Sequence, residues 1–201
     1  MKRSFQIKMP KVETFDKQFV LQQASEVFHT KGYHATSMQD LVEATGLNRS
    51  SIYNSFGCKL NLFMDVLAHY QDKNKMIFQS KIKNCKSAEE TLKNIFTLHL
   101  QQIQNDTNNR GCMLVNGQSE MANQEPSVKS FMQKNQDSYI SLFTDLVQQG
   151  QQEGYFNTIQ TPKEYATFLY SSIQGLRMMG ILDKDIKNLQ PLVDTILRTL
   201  N

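Results

Sequence analysis

The chain has 201 residues, 39% hydrophobic and 20% charged, with a net charge of +3. That is enough to build one or two compact domains around a real core. No apolar run is long enough for a signal peptide or a membrane span, and three widely spaced cysteines make no disulfide framework, so a cytoplasmic protein is expected.

Four prolines and nine glycines leave room for long helices, and no alternating apolar pattern bounded by turns occurs, so the expected fold class is all-α. Lys2, Arg3, Lys8 and Lys11 open the chain as a basic arm without periodicity. Such an arm either touches phosphates or is a frayed end. Phe15 and Val20 then flank Asp16 as a hydrophobic staple around an N-cap. Val20, Ala24, Val27 and Phe28 follow at helical spacing, and Gly32 closes that helix.

Residues 36–63 are the most informative stretch. Ser37 is an N-cap, with Asp40 placed for a short-armed capping box. Met38, Leu41 and Val42 share one face, and Gly46 fits the left-handed residue that ends a helix. Asn48 caps the next helix, with Leu47 and Ile52 as its staple and Ile52 and Phe56 facing inward. Arg49, Ser50, Ser51, Tyr53 and Asn54 are left on the first turns and the outer face, where such groups bond phosphates and base edges. Gly57 ends the helix, and Lys59 stands at the start of another, where free N–H groups favour an anion. Two short helices meeting at a glycine, with a third beginning at once, is the layout of a helix-turn-helix, whose second helix can enter a DNA major groove. Residues 1–63 hold eight Lys/Arg against five Asp/Glu, and residues 64–201 hold fourteen of each, so the whole positive excess lies in this part. Phosphate attraction requires that, and a solvated surface with a chance imbalance would show the same count.

A long helix is expected over 59–83, and Ser87 with Glu90 forms a capping box for another, lined by Leu92, Ile95, Phe96, His99 and Ile103. A polar loop from Asn105 to Gly111 precedes a short helix over 112–123. Pro126 starts a further helix, Gly150 and Gly154 mark a turn, and Pro162 opens a helix to about 179. Leu189, Leu192, Val193, Ile196, Leu197 and Leu200 stripe the last one. No phosphate-cradling glycine loop and no His-x-x-x-His pair occurs, and the cysteines and histidines are too scattered for a metal site, so neither an enzyme nor a cofactor is expected.

The 36–63 stretch resembles the TetR family of bacterial transcriptional repressors, through Thr36, Ser37, Asp40, Leu41, Gly46, Leu47, Asn48, Ser50, Ile52, Tyr53, Phe56, Lys59, Leu62 and Phe63. It departs from the family pattern at Val42 and Thr45, where alanine is usual, at Ser55, which replaces an aromatic or imidazole, and at Cys58, which replaces a capping serine. The resemblance implies an N-terminal arm and three-helix helix-turn-helix DNA-binding domain over 1–63, and a helical effector-binding and dimerisation domain over 64–201. It implies a homodimer, joined through helices at about 162–180 and 187–200, that represses from a palindromic operator and is released by a small molecule. The DNA contacts would come from Ser37, Asn48, Arg49, Ser50, Ser51, Tyr53, Asn54 and Lys59. Arg110-Gly-Cys-Met-Leu-Val-Asn, followed by Glu120, resembles a subgroup with Gly-Cys-Leu-x-Val-Asn-x-x-x-Glu, some of whose members sense electrophiles or oxidants. Cys112 is then either such a thiol or a small packed residue. Helix faces and family analogy give a pocket lined by His99, Ile103, Cys112, Met113, Asn116, Phe131, Tyr139, Phe143, Phe168, Gln174 and Met178.

Overall fold

The computed structural model describes residues 15–201, and the basic arm with Lys2, Arg3, Lys8 and Lys11 lies outside the described residues. Among the described residues the chain forms nine helices and no strand. These are α1 (Lys17–Ala35), α2 (Met38–Thr45), α3 (Arg49–Phe56), α4 (Lys59–Ile82) and α5 (Ala88–Asn105). They continue as α6 (Met113–Met121), α7 (Pro126–Gln152), α8 (Pro162–Leu182) and α9 (Ile186–Arg198).

Local chemistry sets most of these boundaries. Asp16 accepts from the backbone N–H groups of Gln18 and Phe19, so orphan donors at the start of α1 are met. Gly32, at φ 77° and ψ 173°, breaks the regular part of α1. Ser37 with Asp40 and Thr161 with Glu164 form reciprocal capping boxes. The box expected at Ser87 is shifted, because the Glu90 carboxylate accepts from the N–H of Lys86 instead. Gly150 does not mark a turn: it lies within α7, where an added Cβ would overlap the Phe156 ring. The chain turns at Gly154, in the left-handed region at φ 79°.

Two apolar clusters hold the helices. The first joins Val20, Phe28, Leu41, Ile52, Phe56 and Phe63 to Met113, Met121, Val128 and Met132, so it takes in α6 and the start of α7. The second joins Leu92, Phe96, Phe143, Leu169, Ile173 and Val193 across α5, α7, α8 and α9. The α4 helix serves both: Leu62, Phe63, Val66 and Leu67 enter the first, while Phe78 and Ile82 pack on the second.

Candidate DNA-binding surface and effector cavity

Leu41 and Ile52 are fully buried, and with Phe56 they fix α2 on α1 and α3 between α2 and α4. Asn48 caps α3 by accepting the Ser51 N–H at 2.8 Å. Arg49, Ser50, Tyr53 and Asn54 are exposed on α3, and the Arg49 guanidinium stands 5.9 Å from the Tyr53 ring centroid. Ser37 and Asn48 are exposed at the two helix starts, each with its side-chain oxygen engaged in its own cap. Six of the eight expected DNA-contacting residues are therefore accessible.

Two differ. Ser51 is only 3% exposed, and its hydroxyl donates to Asn48 Oδ1 at 3.1 Å. It closes the cap from the inside. Lys59 is turned inward: its ammonium donates to the carbonyls of Tyr33 and Thr36 at 2.9 and 2.8 Å and lies 4.3 Å from the Tyr33 ring centroid. The break at Gly32 ends the regular helix, and the carbonyls beyond it attract the cation, that of Tyr33 while also accepting from the Thr36 N–H at 3.3 Å. One ammonium N–H remains for any other partner.

The departures from the family pattern are absorbed locally. Thr45 is buried, and its hydroxyl donates to Leu41 O at 2.6 Å and accepts from Leu47 N at 3.3 Å. The Cys58 sulfur accepts from Asn61 N at 3.5 Å, a weaker form of the serine cap.

The segment 110–120 forms the seam between these helices and the rest of the molecule. Arg110 pairs with Glu26, and His29 Nε2 donates to Gly111 O at 2.9 Å. Ser25 donates to the Met113 sulfur at 3.6 Å. The Glu120 carboxylate accepts from the N–H groups of Tyr33 and His34, both at 2.8 Å. Burial, more than any other cause, lowers the pKa of His29. No Glu-x-x-His pair was expected, yet Glu26 and His29 stand at that metal-site spacing, but both are committed to this seam. Among the described residues no group of three or more His, Cys, Asp or Glu gathers as a metal site, and no helix is long and apolar enough to cross a membrane.

Behind the seam lie two adjoining cavities of about 290 and 410 Å³. They share Tyr70, Asn74, Cys112 and Arg177, so Arg177 on α8 stands at their common wall. Burial is the main reason the Tyr70 hydroxyl is held above its ordinary pKa, with Cys112 next. His99 Nδ1 lies 3.2 Å from Gln102 Oε1 and 3.3 Å from Arg177 Nη2, and Nε2 has no partner. Burial first, and the Arg177 charge second, hold the His99 pKa well below its ordinary value, so the ring is neutral.

His99, Ile103, Cys112 and Tyr139 line these cavities as expected. The other expected lining residues are elsewhere. Met113 and Asn116 border a separate cleft beside Gly32 and Glu120, because α6 turns that side toward α1. Phe131 packs on the first core and Phe143 is sealed in the second. Gln174 donates to the Tyr170 hydroxyl at 2.8 Å, and its oxygen is buried without a partner. Phe168 and Met178 face outward, since α8 carries a second apolar stripe away from the core, continued by Met179 and by Leu182 at 92% exposure. Tyr70, Asn74, Gln102 and Arg177 were not anticipated as lining. One signal was available for Arg177, the only charged residue between Glu164 and Asp183.

The family description "Bacterial regulatory proteins, tetR family" matches residues 20–66, and "Tetracyclin repressor-like, C-terminal domain" matches residues 88–196. The chain is 25% identical over 194 residues to the uncharacterized HTH-type transcriptional regulator YezE of Bacillus subtilis, spanning 96% of this chain and 100% of that one. It is 27% identical over 191 residues to the HTH-type transcriptional repressor ComR of Escherichia coli, spanning 94% and 90%. Among solved structures it is similar to the TetR family transcriptional regulator CifR, a cysteine mutant complexed with 26bp double-strand operator DNA. That likeness has a TM-score of 0.83 and 25% identity, covering 95% of this chain and 100% of that one.

Proposed function

The chain belongs to the TetR family of bacterial regulatory proteins, and from that premise we propose that it is a cytoplasmic transcriptional repressor. It binds a palindromic operator as a homodimer and is released by a small-molecule effector. The observation that carries this is the exposed row Arg49, Ser50, Tyr53 and Asn54 on a helix capped at its start and anchored by Ile52 and Phe56. Arg49 and Asn54 are suited to base edges or phosphates, and Ser37, Ser50 and Tyr53 to phosphates. The complex of CifR with operator DNA and the repressor name of ComR support the same reading.

One α3 helix covers few base pairs. A two-fold pair presents two, about 34–36 Å apart, which is one turn of DNA. The outward stripe of Phe168, Met178, Met179 and Leu182 on α8 suits the dimer contact, and Gly175 on the same helix leaves open space for a close approach. The division at residues 63 and 64 is then functional, with α4 continuous across it. A ligand in the cavities beside Cys112 and Arg177 acts on α6, and α6 holds the end of α1 through Glu120. Release requires that the ligand bind the non-binding arrangement of the dimer more tightly.

The test is fluorescence anisotropy on DNA from upstream of the gene. Wild type should bind an inverted repeat, with affinity falling steeply as salt rises. Arg49→Ala should weaken binding by about 1–3 kcal/mol if it reads guanine. Equal binding of scrambled DNA, or an unchanged Arg49→Ala affinity, would refute the assignment.

A second reading has its own support, since Cys112 lines both cavities and starts α6. Here an oxidant or electrophile modifies the Cys112 thiol and releases the operator. Cys112→Ser should then abolish release by quinone or peroxide. Unaltered release by those reagents would remove the thiol role.

A further inference from the structure

We propose that Arg177 is an anion anchor, and that the effector is a small organic carboxylate whose head seats on this guanidinium and whose apolar body fills the larger cavity. The inference rests on the cavities being the effector site. Four ion pairs occur among the described residues, and none involves Arg177. The groups around it are His99, Cys112, Tyr70 and Tyr139. Burial disfavours its charge, yet its pKa stays raised and the guanidinium is protonated at neutral pH, with the Tyr139 hydroxyl as a hydrogen-bond acceptor beside it.

The nearby acids are engaged or distant. Asp106 borders the smaller cavity, but its Oδ2 accepts the Gly111 N–H at 2.7 Å. Asp72 borders the larger cavity alongside Lys75, and neither acid is within ion-pair distance of Arg177. A guanidinium has five N–H donors, and here one nitrogen is bonded to His99. The Tyr139 hydroxyl is a second neutral partner, and the part-exposed Arg177 lines both cavities, which leaves donors for a ligand. Arg177 is only partly withdrawn from water, so its charge is tolerated while unpaired, and its planar fork of donors matches a carboxylate in two parallel bonds. Phe78, Ile82, Leu114 and Leu142 supply the apolar wall beside it. At about 410 Å³ the larger cavity suits a molecule of one ring or a medium acyl chain.

The test uses the full-length protein, differential scanning fluorimetry and calorimetric titration. The probes are matched pairs: cinnamate and cinnamamide, octanoate and octanamide, indole-3-acetate and indole-3-acetamide. At least one acid should raise the unfolding midpoint and bind at least tenfold more tightly than its amide. Arg177→Gln should weaken that acid at least tenfold and leave the amide unchanged, while Arg177→Lys keeps part of the preference. Ligand-free Arg177→Gln should unfold at or above the wild-type temperature, because no ion pair is lost. A clear fall in that midpoint would instead mark an internal counter-charge and overturn the proposal. So would acids and amides binding wild type alike, or amides alone binding, and in both cases the cavities would still stand as the effector site. If no member of any pair shifts the midpoint, the anion anchor and the small-molecule site fall together. Should Arg177→Gln fail to fold, the acid and amide comparison on wild type decides.

Discussion

Replacing Glu120 with alanine removes the one carboxylate that ties α6 to the end of α1. It accepts two backbone N–H groups, from Tyr33 and His34, both at 2.8 Å. A hydrogen bond to a charged acceptor contributes about 1.5–3 kcal/mol. His34 is exposed, so water replaces its bond cheaply, whereas the Tyr33 amide is partly buried and loses more. The combined cost is about 2–3 kcal/mol, and Glu120→Gln, which keeps one acceptor oxygen, should cost about half. Urea unfolding followed by far-ultraviolet circular dichroism reads the difference as a shift in midpoint at constant slope. Operator affinity should fall in parallel, since Lys59 holds the same turn through Tyr33 O and Thr36 O. A Glu120→Ala protein as stable as wild type, or a glutamine variant as damaged as alanine, would refute this account of the seam.

Ser51→Ala should cost about 1 kcal/mol of stability through the lost hydroxyl bond to Asn48, with operator affinity unchanged; a selective loss of DNA binding would return Ser51 to the interface. Leu182→Glu should leave the thermal midpoint of the subunit fold intact, because the side chain is 92% exposed, and convert a dimer to monomers in sedimentation velocity. Stability should fall as pH drops below about 6.5, since the unfolded chain takes up a proton that buried, neutral His99 refuses. With the folded pKa depressed, the contribution is complete above the unfolded value, and each further pH unit costs about 1.4 kcal/mol until the folded ring itself titrates. His99→Gln should reduce that slope and leave the part due to His29, whose pKa is also lowered, and an unchanged slope on stability curves between pH 5.5 and 7.5 would count against a neutral His99 ring.

The helix-turn-helix was legible because its signals are local. A cap, a glycine at positive φ and a staple act within a few residues, so Ser37, Gly46, Asn48 and Ile52 fell where the sequence put them. The inward contacts of Lys59 were not legible because its partners sit 26 and 23 residues upstream, at a helix end shaped by the Gly32 break. The cavity was half legible for a related reason. Phe143 and Phe168 both lie on apolar stripes, but only the packing of α8 against α7 decides that one is sealed and the other faces outward. Arg177 carried its signal in plain sequence, a single charge in the apolar run between Glu164 and Asp183, and its place on the wall shared by the two cavities appeared only once α4, α5 and α7 closed around it.

The α4 helix of 24 residues runs unbroken from one core to the other, so at 1.5 Å per residue it is a rod about 36 Å long. Tilting such a rod by about 5° about its far end swings its near end by about 3 Å, comparable to the rise of one base pair. In the proposed dimer, neither core would have to melt for the two reading heads to fall out of step with the duplex. A very small occupant would then suffice, because the length of α4 supplies the gain.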